Sequence, residues 1–154
     1  MAEQFIQAGV GVNVLLVGVG GMLGSLSRYG VGKFVHWAHP MEMNEWPLYV
    51  SASGTIMVNA LGCFFFGLIW GALHEWKASL SPMLMLALLT GFMGAFTTFS
   101  TFAFEGYQLY VRHGIWSAAG YWFIQNVAGF VLVVIGVGVG KLMYTTWLVG
   151  ESVG

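Results

Sequence analysis

Charge is what this sequence lacks. Only 7% of its 154 residues are Asp, Glu, Lys or Arg, where a soluble domain carries about 25%. Asp is absent, so all six acids are Glu. A surface built from so few charges does not suit water, which excludes an ordinary soluble globule, and the 58% hydrophobic content excludes a disordered chain. Five Lys and Arg against six Glu create no basic field, which excludes a nucleic-acid binder. The single cysteine, Cys63, cannot form an internal disulfide, and its apolar setting says nothing about redox compartment. Linkers of low complexity and internal repeats are missing too, so residues 1–154 read as one domain.

What is present is long apolar runs. No charged side chain occurs in 4–27, 46–74, 78–104 or 113–140, runs of 24, 29, 27 and 28 residues. About 20 apolar residues at 1.5 Å each cross the hydrocarbon core of a bilayer. Each run is therefore long enough for one crossing and too short for two. The expected fold is an all-α membrane protein with four transmembrane helices near 8–34, 49–73, 82–111 and 115–143. The first run does not read as a cleaved signal peptide, because Glu3 stands where Lys or Arg is needed and the apolar stretch is too long. Pro40 and Pro47 mark a link over 35–48, residues 74–81 turn the chain before Pro82, and 112–114 makes a tight turn.

Orientation follows the Lys/Arg balance across the membrane. The side with both termini and the 74–81 loop holds Lys77 and Lys141, and the other holds Arg28, Lys33 and Arg112. Two against three is too small a bias to choose a side. Either other insertion factors decide, or the chain inserts both ways and pairs as an antiparallel dimer about a two-fold axis in the membrane plane. Four helices alone offer little interior for a water-lined path, which also points to an oligomer.

Among 23 glycines, Gly20 and Gly24, Gly67 and Gly71, and Gly136 and Gly140 form small-xxx-small pairs, whose plain meaning is close helix packing. Gly18 and Gly20 superficially suggest a dinucleotide fingerprint, but Leu23 stands where its third glycine belongs and no βαβ pattern surrounds it. Polar groups inside the runs need partners or a task. Asn59 in helix two either bonds a neighbouring helix or lines a solute path, and Gln125 and Asn126 in helix four pose the same choice. Glu105 lies just beyond its run and can reach an interface. Arg28 ends the first run, where snorkelling explains it.

Helix three carries the densest signal, from Thr90 through Gly91, Gly94 and the hydroxyls of Thr97, Thr98, Ser100 and Thr101 to Phe102. Two glycines followed by clustered hydroxyls can interrupt a helix and free carbonyls that protein or an ion must satisfy. Phe99 and Phe102 share a face. Aromatic stripes usually pack, but a ring has an electropositive edge, and two such edges attract a small anion weakly without a fixed cation. Weak binding suits conduction, where a lysine would hold the ion too long.

These pieces together resemble the Fluc (CrcB) family of fluoride channels of microbial membranes. The resemblance rests on Gly20, Gly21, Gly24, Arg28 and Tyr29; on Gly54, Thr55, Val58, Asn59 and Gly62; on the stretch from Thr90 to Phe102 with Glu105; and on Asn126 and Gly129, in the family's order and spacing over residues 18–130. It implies passive export of fluoride through the cell inner membrane by an antiparallel, dual-topology dimer, with no covalent chemistry. Phe99 and Phe102 would contact fluoride by their edges and Asn59 would donate a hydrogen bond to it. Ser100 and Thr101 would extend the hydroxyl lining, and Arg28 would stand at a pore mouth. Carbonyls of Gly94 and Thr97, with those of a second subunit, would hold a structural sodium ion. The chain departs from the family in helix four, where no Ser, Thr or Tyr occurs between Tyr121 and Tyr144, and Phe130 and Val134 stand where polar groups are expected. Donors must then come from Asn59, Ser100, Thr101, Gln125 and Asn126, or from a sibling subunit. The other functional classes are a four-helix proton-coupled exporter, which needs a carboxylate that 4–27 lacks, and a non-transporting membrane subunit.

Overall fold

A computed structural model describes residues 2–38, 46–75 and 82–153, with side chains described over 9–38, 52–72 and 82–146. Helix α1 runs Ala2–Ala38 and α2 Trp46–Glu75. The third span begins with α3 (Pro82–Met85), continues as a π-helical stretch, Leu86–Met93, and ends its first part with α4 (Gly94–Phe96). Its second part is α5 (Phe99–His113), and α6 is Ile115–Val153. Four stretches are long and apolar enough to cross a membrane: Gly9–Ala38, Ala52–Ala72, Pro82–His113 and Ile115–Thr146. The chain is an all-helical, multi-pass membrane protein.

The helices outrun the hydrocarbon thickness on which the sequence limits were set. α2 begins at Trp46, so Pro47 lies in its first turn and not in a loop. The missing N–H of proline costs nothing there, because first-turn amides have no helical partner. Of the expected turn at 74–81, residues 74–75 still belong to α2 and 76–81 lie outside the described residues, as does the middle of the 35–48 link. The turn after α5 is a single glycine. Gly114 has φ 83°, a backbone that favours glycine, and its N–H caps the Tyr110 carbonyl at 2.9 Å.

Two helix pairs organise the molecule, and small residues make both. A side chain at Gly67 or Gly71 would strike the Val133 or Val137 carbonyl of α6. One at Gly136 or Gly140 would strike the Phe64 or Leu68 carbonyl of α2. The two small-residue pairs therefore face each other and bring the α2 and α6 backbones together. Gly20 and Gly24 of α1 meet the Ala87 and Phe92 carbonyls of the third span in the same way. The second part of the third span joins the pairs: Phe102 packs on Tyr121 and Trp122 of α6, and Gly106 leaves room for the Trp122 indole. Large apolar side chains such as Val14, Leu15, Phe123 and Val134 cover the outside, where they suit lipid.

Candidate functional site

The site is built around a stretch of extended backbone within the third span. Thr97 has φ −79°, ψ 159° and Thr98 φ −146°, ψ 110°, between α4 and α5. The backbone N–H and carbonyl of both threonines have partners, as burial in an apolar medium demands. The Thr97 N–H and hydroxyl both donate to the Met93 carbonyl, at 3.1 and 3.0 Å. Thr98 N–H donates to Asn59 Oδ1 at 2.9 Å, and Asn59 Nδ2 returns a bond to the Thr98 carbonyl at 3.3 Å. The Asn59 carboxamide thus touches both backbone groups of one residue and gives its N–H the acceptor that a continuous helix would supply. The Thr98 hydroxyl caps α5, accepting from Thr101 N–H at 3.3 Å and donating to Thr101 Oγ1 at 2.9 Å. Arg28 of α1 reaches the Thr97 carbonyl through Nη1 at 3.4 Å. Gly62 makes the approach possible, since a side chain there would strike the Thr97 methyl.

This arrangement has a consequence for Gly94. In an unbroken helix the Thr98 N–H would close on the Gly94 carbonyl. Asn59 holds that N–H instead. The Gly94 carbonyl is left without that donor, and Gly94 and Thr97 line a cavity of about 190 Å³ with Gly62, Cys63 and Met93.

On the other side of Thr97 an open crevice of about 390 Å³ lies between α2, α5 and α6. Asn59, Phe99, Phe102, Gln125, Asn126 and Phe130 are among its lining residues. Phe102 is buried at 5% exposure and Phe99 is 74% exposed, their ring centroids 5.8 Å apart and tilted by 59°. The crevice therefore pairs aromatic edges with side-chain amides and includes no Lys or Arg among its lining residues.

A chain of hydrogen bonds leads inward from it. Asn59 Nδ2 donates to Gln125 Oε1 at 3.4 Å, and Gln125 Nε2 donates to the Tyr121 hydroxyl at 3.0 Å. Tyr121 donates to Glu105 Oε2 at 2.7 Å, and Thr55 donates to Glu105 Oε1 at 3.0 Å. Glu105 is 2% exposed. The expectation that it reaches an interface is corrected here: α5 turns it inward, and two hydroxyl donors make burial of its oxygens tolerable.

Asn59, Phe99 and Phe102 are thus gathered in one crevice with Thr97 at its edge, while Gly94 faces the smaller cavity. Ser100 and Thr101 are exposed and stand outside the lining, and Arg28 bonds the extended backbone itself. Sequence reasoning named Thr55 only within a motif and Tyr121 only as a boundary, and gave neither a role. The signal was there as spacing, since Thr55 and Asn59, and Tyr121 and Gln125, are four apart on α2 and α6. Among the described residues no cluster of three His, Cys, Asp or Glu could hold a metal, so a cation here would depend on carbonyl oxygens.

Comparison with known proteins gives one answer. A family model described as CrcB-like protein, Camphor Resistance (CrcB), matches residues 15–137. A fluoride-specific ion channel FluC of Nitratidesulfovibrio vulgaris (strain DSM 19637 / Miyazaki F) is 47% identical over 131 residues, 84% of this chain and 98% of its own. A protein of the same name from Chloroflexus aurantiacus (strain ATCC 29366 / DSM 635 / J-10-fl) is 38% identical over 130 residues, 84% of this chain and 95% of its own. Another, from Salinibacter ruber (strain DSM 13855 / M31), is 34% identical over 127 residues, 82% of this chain and 88% of its own.

Proposed function

This chain belongs to the CrcB-like family, and from that membership we propose that it is a fluoride-selective channel that lets fluoride leave the cell passively and so limits its toxicity. One observation carries the reading to this chain's own residues: the crevice where Phe99 and Phe102 stand beside the Asn59 and Gln125 amides. Fluoride must shed water to pass, and bare desolvation of an ion costs many kcal/mol. Ring edges and amide donors replace part of that shell, and none of them carries a full charge. Binding stays weak enough to permit release, as conduction requires. The Arg28 guanidinium, beside Thr97, raises the local potential without entering the crevice lining.

The same reading includes an antiparallel dual-topology dimer in the cell inner membrane, formed with itself or with a sibling chain. Its support is the near-even Lys/Arg split and the exposure of Phe99 and Phe130 along an open crevice that a second copy would cover. It also includes a structural sodium ion at the dimer interface, held by the Gly94 and Thr97 carbonyls of both subunits. The residues suit that ion, because carbonyl oxygens fit a hard cation and the Gly94 carbonyl has lost its helical donor to Asn59. When bound, such an ion would tie the two subunits together at their extended segments. Phe99, Phe102 and Asn59 form the fluoride path, and Ser100 and Thr101, between the two phenylalanines in sequence, extend its hydroxyl groups in the same reading.

Purified chain in liposomes loaded with fluoride tests the function. Fluoride efflux that needs neither a proton gradient nor any other protein supports the channel. Transport that runs only when a pH gradient is imposed contradicts it in favour of an exporter, and an impermeable vesicle contradicts it in favour of a non-transporting subunit.

A further inference from the structure

We infer that Gln125, beside the path-lining Asn59, supplies a hydrogen bond that replaces lost water when fluoride enters the crevice, and that it thereby sets the affinity of this chain for the ion; the inference rests on the channel reading above. It follows from an account of donors. Both Nδ2 protons of Asn59 are committed, one to the Thr98 carbonyl at 3.3 Å and one to Gln125 Oε1 at 3.4 Å. The first of these helps hold the extended backbone, so Asn59 turns a proton to an anion only by giving up part of its hold on Thr98. The Thr97 hydroxyl proton goes to the Met93 carbonyl, that of Thr98 to Thr101, and that of Tyr121 to Glu105 at 2.7 Å. Cys63 offers only a weak S–H donor.

Gln125 is different. Its Nε2 carries two protons and donates one to Tyr121 at 3.0 Å; the other has no acceptor among the described residues. Its Oε1 is held by Asn59, so the carboxamide is fixed at both ends while one N–H is left for a ligand in the crevice it lines. A donor positioned before the ion arrives loses little entropy in binding it. Asn126 also keeps a proton, but its carboxamide is exposed and folded onto the Trp122 carbonyl of its own turn at 2.6 Å. Gln125 is the half-buried amide next to Phe102, where water is scarcer and a donor counts for more. This also accounts for the missing hydroxyls of α6 between Tyr121 and Tyr144: one longer amide reaches the path in their place.

The test is fluoride flux from liposomes measured across a range of fluoride concentrations for the parent, Q125L and Q125N. Loss of one hydrogen bond to a charged partner predicts that Q125L loses roughly 10- to 100-fold of its flux at low fluoride, with a raised half-saturating concentration. Q125N is one methylene too short to span Asn59 and Tyr121, yet it keeps an N–H on the crevice, and it should restore flux to within about threefold of the parent. Parental flux and half-saturation in Q125L overturn the inference. Equal loss in Q125L and Q125N, both monodisperse on size exclusion, also overturns it, because the residue would then act only as a bridge. If Q125L does not fold, Q125A is judged by the same criteria. A parent that passes no fluoride overturns the channel reading and this inference with it, which separates that failure from the others.

Discussion

At the scale of single residues, Asn59 does two jobs that the sequence presented as alternatives. It makes an interhelical hydrogen bond, and it lines the crevice. Its carboxamide serves the two backbone groups of Thr98, so removing it strands a buried N–H, while the carbonyl, at the N-cap of α5, keeps the first helical bond. N59A should therefore lower the thermal midpoint of the detergent-solubilised protein, with a loss of about 1–3 kcal/mol for the stranded N–H; an unchanged midpoint would mean that Thr98 is held some other way. The phenylalanines make a separate prediction. F99I and F102I keep apolar bulk and lose the ring edge, so each should cut fluoride flux at least about tenfold while the protein remains monodisperse on size exclusion. Near-parental flux in both would remove the ring-edge mechanism. Asn59, Phe99 and Phe102 were legible as candidates because a polar group and paired aromatics stand out in apolar runs. The Gln125–Tyr121–Glu105–Thr55 chain was not, because its members lie on three elements that only packing brings together.

At the scale of the helices, lack of charge located all four spans, and glycine spacing located the contacts between them. The ends escaped because nothing in an apolar run says where a helix stops beyond the bilayer: α6 continues to Val153 where the sequence suggested 143. The π-helical stretch over Leu86–Met93 also left no mark in the pattern of apolar residues. It lies where Gly20 and Gly24 bring the α1 backbone against the Ala87 and Phe92 carbonyls, so its register is settled by a neighbouring helix. The glycines of α6 allow a controlled comparison. At Gly136 a Cβ would run into the Phe64 carbonyl, and at Gly138 it would meet nothing within 4 Å. G136A should therefore destabilise the α2–α6 pair and lower the thermal midpoint clearly, while G138A should leave it unchanged or slightly higher, since Ala is about 1 kcal/mol better than Gly in a helix. Equal effects at the two positions would mean that the helices do not meet as described.

At the scale of the whole molecule, the open crevice and the balance of Lys and Arg lead to one further expectation. In a Cys63-free variant with a cysteine placed within 76–81, between α2 and α3 in sequence, an impermeant thiol reagent should label one pool from each side of the membrane. Labelling from one side alone would exclude both-way insertion and, with it, the antiparallel homodimer. Composition was enough to place the chain in a membrane, but the function was legible only through the spacing of motifs along the four spans, most of all the third, because apolar helices of this kind serve many proteins alike.

The central claim is passive, fluoride-selective conduction, and a planar-bilayer recording tests it most directly. With purified chain in the bilayer and a fluoride gradient across it, chloride and pH being equal on the two sides, the account predicts a current that reverses at the fluoride equilibrium potential and does not move when chloride is raised on one side. A membrane without current, or a reversal potential that follows chloride or protons, would contradict it.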